Sequence, residues 1–212
     1  MSDDPEKSGL RLPEGTLLEG IVTTLNEDRT PHITPMGPIV DASFSQILLR
    51  PYRTSTTYQN LKRTGEGVLH VTDDVELFAR AAVGKIETVP RLFPAKAVEG
   101  AILADACRWH AFRVDSIDDS ADRIAIAATI VEYGRMRDFF GFNRAKHAVI
   151  EAAILATRIE WLDAGHIRDE FARLAVIVEK TGGHQEHAAF TFLDEYVREQ
   201  SAAKAEVETA ER

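Results

Sequence analysis

The sequence predicts an α+β chain, with about six strands over residues 16–137 and helices over residues 138–200. Two observations carry that division. Before Arg137, short β-branched or alternating runs are separated by proline, glycine and acidic turns. After it, Ala148, Ala152, Leu155, Ile159 and Leu162 recur at the spacing of one helical face.

Taken in order, residues 1–15 are polar with two prolines and two glycines, and read as a loose arm. Residues 17–25 (LLEGIVTTL) form the first expected strand. The polar turn Asn26-Glu27-Asp28-Arg29-Thr30 follows. Residues 31–38 form an edge strand or one that ends early, because Pro31, Pro35 and Pro38 cannot donate to a ladder. Residues 46–50 are a third strand. Residues 54–63 read as a short helix capped by Thr54 or Ser55 and ended by Gly65. Residues 67–72 (GVLHVT) are a fourth strand. Asp73-Asp74-Val75-Glu76 resembles a capping box and opens a helix through Ala82. Pro90 and Pro94 argue for a loop over residues 84–105. Residues 109–117 and 124–133 are two further strands joined by the acidic turn Asp118-Asp119-Ser120. Three helices are expected at 143–162, at 167–179 after a break at Gly165, and at 184–199. Residues 201–212 are expected to be a flexible tail.

Composition narrows the partners. The net charge is −9, from 34 acids against 25 bases. Nucleic acid and anionic membrane surfaces attract basic proteins, so neither is an expected partner. The most apolar run, residues 148–156, is interrupted by Glu151 and is far shorter than the roughly 20 residues a membrane span needs. The start of the chain is acidic and polar, unlike a secretory signal. The single cysteine, Cys107, cannot form an intrachain disulfide. These features predict a soluble, cytoplasmic protein.

One stretch concentrates chemistry: Arg50-Pro51-Tyr52-Arg53-Thr54-Ser55-Thr56-Thr57-Tyr58. A strand ends in arginine, a second arginine follows, and four hydroxyl residues open a helix. Free N–H groups at a helix start, hydroxyl donors and a two-pronged guanidinium suit a phosphate monoester. The spacing alone leaves open that site and a solvated helix cap with surface arginines.

The order of elements around this stretch resembles the FMN-binding split-barrel superfamily. Ile21-Val22-Thr23-Thr24, Pro35-Met36-Gly37, Leu49-Arg50-Pro51-Tyr52, Thr57-Tyr58-Gln59-Asn60-Leu61, Val71-Thr72-Asp73-Asp74 and Leu77-Phe78 resemble the family catalogued as domain of unknown function 447. So do Phe142-Asn143-Arg144-Ala145, Ala156-Thr157-Arg158 and Val178-Glu179-Lys180-Thr181-Gly182-Gly183. The resemblance covers about residues 17–187.

It implies an FMN-binding split β-barrel with a C-terminal helical cap, in a homodimer whose partner completes each pocket. It implies a phosphate on Arg50, Thr54, Ser55 and Thr57, with Asn60 in the same helix, and a flavin ring against Thr34, Pro35, Met36 and Gly37, with Val71 and Thr72 nearby. The helical C-terminal third departs from the better-known flavin reductases. An FMN oxidoreductase of unknown substrate is therefore one expectation. The others are a flavin carrier, a split-barrel protein using a deazaflavin or haem, and a structural dimer with a vestigial site.

Asn143, Arg144 and His147 lie within one turn. They read either as a patch facing cofactor or substrate, with His147 the candidate proton donor, or as a helix cap with a hydrogen-bonded histidine. Glu151 on the apolar run is expected to pair with Arg158. His147 with Glu151, and His184 with His187, have metal-compatible spacing, but no HExxH or cysteine pair accompanies them, and no metal is expected. Lys180-Thr181-Gly182-Gly183 reads equally as a helix end or as a backbone loop near an anionic cofactor.

Overall fold

The computed structural model describes residues 15–210, so the expected arm lies outside the described residues apart from Gly15. Within them the chain forms two compact units. A barrel unit holds residues 15–72 and 89–139, and a helical unit holds residues 73–88 and 140–210.

The barrel unit contains β1 (Thr16–Leu17), β2 (Gly20–Leu25), β3 (Pro31–Met36), β4 (Ile39–Val40), β5 (Gln46–Leu49), α1 (Thr56–Thr64), β6 (Glu66–Val71), β7 (Leu92–Pro94), β8 (Ala101–Leu103), β9 (Arg108–Asp118) and β10 (Ala125–Arg135). Eight of these strands make one antiparallel sheet in the order β1-β4-β5-β10-β9-β6-β2-β3.

That order forces the sheet to curl. β1 and β2 stand six places apart, as do β3 and β4. Six steps at about 4.8 Å would separate them by about 29 Å in a flat sheet. Only Leu18 and Glu19 join β1 to β2, and only Gly37 and Pro38 join β3 to β4, and three chain steps span at most about 11 Å. The two edges must therefore meet.

Register shows how. Thr16↔Val40 and Leu17↔Ile39 continue the same pairing as Gly20↔Met36 through Leu25↔Pro31. Leu18 N donates to Pro38 O between the two sets, at 2.9 Å. Residues 16–40 are one long hairpin, whose upper part pairs with β6 through β2 and whose lower part pairs with β5 through β4. The expected count of six strands is corrected to eight in this sheet. The ladder lapses at Leu18-Glu19 and Gly37-Pro38, and Pro38 has no N–H to give, so the first expected strand appears as two, and β4 follows beyond the end of the second.

The barrel interior is a single apolar cluster. Val22, Val40, Ile47, Leu49, Leu69, Phe112, Ile124 and Ile126 point inward, joined by Tyr58 and Leu61 of α1. Gly67 is required here, because a Cβ would lie 2.6 Å from the Phe112 ring. On the outer face, the expected loop at 84–105 is instead a hairpin of β7 and β8, with Ala95 N bonded to Gly100 O across its turn. Pro94 is tolerated because it ends an edge strand. Val98 and Ile102 cover Val68 and Ala111. His70 clips this hairpin to the barrel: one ring nitrogen meets Ile21 O at 3.1 Å and Nε2 accepts from Leu103 N at 3.1 Å.

The helical unit contains α2 (Val75–Ala82), α3 (Arg144–Ala156), α4 (Ala164–Thr181) and α5 (His184–Ala210). Asp74 rather than Asp73 caps α2, accepting from Leu77 N. Helix α3 stops at Ala156, short of Leu162, where the Thr157 hydroxyl bonds back to Ile154 O at 2.8 Å. Gly165 does not break α4; it lies in its first turn, behind the Asp163 cap. Helix α5 continues past Glu199 to Ala210. The alanine-, glutamate- and lysine-rich run has high helix propensity, and Lys204 Nζ donates to Ile159 O at 3.1 Å. Lys146 Nζ, largely buried, pairs with Glu186 at 2.7 Å and donates to Asp73 O at 2.7 Å, tying α3, α5 and the start of α2 together. No helix among the described residues is long and apolar enough to cross a membrane.

Two buried histidines make stability depend on pH. Burial lowers the pKa of His70 to about 4, and burial followed by the charge of Arg108 lowers that of His110 to about 4. The unfolded chain binds these protons near pH 6.5 and the folded chain resists them. Stability is therefore complete above about pH 6.5 and is lost as pH falls towards 4, at about 1.4 kcal/mol per pH unit per histidine within that window. Urea unfolding at pH 7, 6 and 5 should show midpoints falling steadily. Identical midpoints would contradict this.

Candidate functional site

The long hairpin changes partners at Glu19 and Gly37: β2 leaves β6 at Ile21, and β4 joins β5 at Ile39. The expected ring-contacting residues gather at this level. Gly20 pairs with Met36 on one side, and continuing the Ile21↔His70 register sets Val71 on the other. Thr34, Pro35, Met36 and Gly37 are all half-buried, as are Val71 and Thr72. Among the described residues β3 pairs only with β2, so its outer edge carries backbone groups with no ladder partner there. Arg50 lies two residues beyond Leu48, whose partner Ile39 lies two residues beyond Gly37, so the β4–β5 register carries Arg50 towards Gly37.

The chain then turns into α1, which packs on β2 and β3. Ser55 is its N-cap and accepts from Tyr58 N at 3.2 Å; Gly65 ends it at φ +68°. Thr54 is exposed, Ser55 half-buried and Thr57 buried. Asn60 is engaged by the fold: its two amide donors go to Thr24 Oγ1 at 3.0 Å and Asn26 Oδ1 at 3.1 Å, and its oxygen accepts from Arg63. Arg53, the second arginine of the motif, is also engaged. It donates to the carbonyls of Asp119 and Ala121 and props the acidic turn. Arg50 behaves differently, for its Nε is buried and has no acceptor among the described residues.

Sequence reasoning does not single out Arg123. It stands opposite Tyr52 in an antiparallel bridge, its guanidinium lies 4.9 Å from the Tyr52 ring centre, and its Nε too is buried without an acceptor. Only strand pairing reveals this, since 72 residues lie between Arg50 and Arg123 and no local motif links them. His110 is a second such group. It is buried at 6% exposure between Phe44, centred 4.4 Å away, and Tyr133, at 6.2 Å, and neither ring nitrogen has a hydrogen-bond partner among the described residues.

The remaining candidates belong to the helical unit. Asn143 caps α3 by accepting from Lys146 N, and its amide donates to Thr181 O at 3.0 Å. Arg144 and His147 are exposed, and the Phe142 ring lies 6.1 Å from His147. With Ala148, Glu151, Arg173, Leu174 and Ile177 they border an open depression of about 600 Å³. Glu151 is exposed beside it, so it does not need the expected Arg158 partner. The Lys180-Thr181-Gly182-Gly183 link is a tight helix junction, in which Gly183 N donates to Glu186 at 2.8 Å and a Cβ at Gly182 would meet Val178 O at 2.6 Å.

The chain matches the N-terminal domain of the protein of unknown function DUF447 over residues 18–137 and the second DUF447 model over residues 143–195. Among solved structures it is similar to the FMN-bound protein MM1853 from Methanosarcina mazei, also DUF447. That match has a TM-score of 0.73 and 20% identity, over 86% of this chain and 96% of the other. It is also similar to a flavin reductase domain protein from Arthrobacter sp. FB24, with a TM-score of 0.50 and 18% identity, over 57% of this chain and 79% of that one. These likenesses establish the split-barrel fold. With both of its units matched, the chain belongs to the DUF447 family.

Proposed function

We propose that the barrel unit binds FMN where the hairpin changes partners. The phosphate rests on Arg50 and the hydroxyl turn Thr54–Ser55–Thr57, and the ring lies along Thr34–Gly37 with Val71 and Thr72 at its side. The observation that carries this reading is the buried Nε of Arg50, which has no acceptor among the described residues. A desolvated donor without a partner costs about 1–3 kcal/mol, and a phosphate oxygen supplies the partner. Gly37 adds support. Its backbone is not left-handed and a Cβ there would meet only ordinary contacts at 3.4 Å, so the barrel does not require glycine; a flat ring lying against the backbone does. The bound FMN of the DUF447 protein MM1853 agrees with the reading.

FMN would supply hydride or electron transfer, and the protein's part is to bind and orient it. We therefore propose an oxidoreductase. The barrel residues hold the phosphate and the ring and keep the ring's inner face from water. This reading is argued from the barrel residues and takes no support from Asn143, Arg144 or His147 of the helical unit. A reducing, cytoplasmic setting is proposed with it, in keeping with a chain whose one cysteine, Cys107, is buried.

Two outcomes test these statements. In a fluorescence titration, Arg50→Ala should weaken FMN binding by about 1.5–3 kcal/mol, the scale of a hydrogen bond to a charged group; unchanged affinity would remove Arg50 from the site. We also propose a homodimer, supported by the exposed Val131 and Tyr133 two residues apart on β10. Light scattering at low micromolar concentration should give twice the chain mass, and a monomer mass with FMN bound would overturn it.

A further inference from the structure

Strand β5 does not end its pairing at Leu49. Ile124 N donates to Pro51 O and Arg53 N donates to Asp122 O, both at 3.0 Å, and these bonds bracket Tyr52 and Arg123 as a directly opposed pair. The register set by Leu49↔Ile126 then puts Arg50 opposite Ala125. Ile47, Leu49, Ile124 and Ile126 all face the barrel core. By alternation Arg50, Tyr52 and Arg123 stand together on the opposite face, with Arg50 and Arg123 as diagonal neighbours, about 7–8 Å apart.

This arrangement is costly as it stands. Two guanidinium groups share one face, and neither has an ion pair among the described residues. Each also buries an Nε–H that has no acceptor. The acids of the adjoining turn form no ion pair with either among the described residues: Asp119 is held by Tyr58 and Lys62, Asp118 by Ser120, and Asp122 is exposed. Tyr52 holds Arg123 in place, with the ring under the guanidinium and the hydroxyl 3.5 Å from Nη2. An anion with several acceptor oxygens would answer both the repulsion and the orphaned donors, since a guanidinium grips a phosphate through two parallel N–H groups.

We infer that Arg123 is a second phosphate-binding arginine, paired with Arg50 across β5 and β10 and positioned by Tyr52. It takes the place that the motif offers to Arg53. The inference rests on the FMN reading and sharpens it: a pair of arginines makes the site select a terminal phosphate monoester over the same ring system without one.

The test is a titration of FMN, riboflavin and inorganic phosphate against wild type, Arg123→Gln and Arg123→Lys, with thermal unfolding to confirm that each variant is folded. Arg123→Gln should lose about tenfold or more in FMN affinity, the equivalent of one charge-assisted hydrogen bond, while riboflavin affinity stays unchanged. Arg123→Lys should recover part of the loss. Equal losses for FMN and riboflavin would mean that Arg123 only supports the fold, and would overturn the inference. So would an Arg123→Gln variant that binds FMN like wild type, although the FMN reading would then stand. Wild type that binds phosphate but not FMN, with phosphate lost in Arg123→Gln, would keep the arginine pair and overturn the flavin. Wild type that binds neither would overturn both.

Discussion

The barrel depends on one constraint: a single hairpin, residues 16–40, must satisfy both edges of the same sheet. Its register is continuous, so the upper part cannot slip against β6 without the lower part slipping against β5. A slip of one residue would turn Val22 and Val40 out of the core and bring Ile21 and Ile39 in. The apolar cluster that includes Val22, Val40, Leu49 and Leu69 therefore enforces closure as well as filling the interior.

The same constraint creates the proposed site. Where the hairpin changes partners its ladder lapses, and the lapse leaves backbone at Glu19 and Gly37 between two strands that have separated. β5 and β6 deliver Arg50 and Val71 to either side of that gap. β3 keeps an open edge, and Pro31 and Pro35 limit its use by another strand. A ligand with a charged end and a flat, hydrogen-bonding body matches what is left: guanidinium groups at one end, and an unpaired strand edge along the other. Acid titration of His70 and His110 works against this assembly, because His70 holds the covering β7–β8 hairpin and His110 sits inside the barrel.

Much of this was legible in the sequence, for physical reasons that differ by element. Helix α1 was readable because its cap and stop are local chemistry, Ser55 at one end and Gly65 at the other. The edge position of β3 was readable because proline has no N–H. The split of the first strand was not, because nothing local in LLEGIVTTL marks where its ladder partner changes. The β7–β8 hairpin was hidden by Pro90 and Pro94, which signal a loop wherever the strand is short. In the site, Arg50 was visible beside its hydroxyl run, whereas Arg123 becomes its neighbour only through antiparallel pairing. Arg53 and Asn60 have the right residue types in the right motif, yet the fold uses their donors for the acidic turn and for Thr24 and Asn26. Motif membership names residue types; only geometry says whose hydrogen bonds are still unspent.

The central claim is that the place where the hairpin changes partners holds a flavin mononucleotide. The most direct measurement is the absorption spectrum of the freshly purified protein after incubation with FMN and removal of the excess, followed by mass identification of the ligand released on heating. The account predicts a yellow protein with flavin bands that releases FMN rather than FAD, since no pyrophosphate-binding glycine fingerprint is present in the sequence. A colourless protein that retains no flavin, or one that releases mostly FAD, would contradict it.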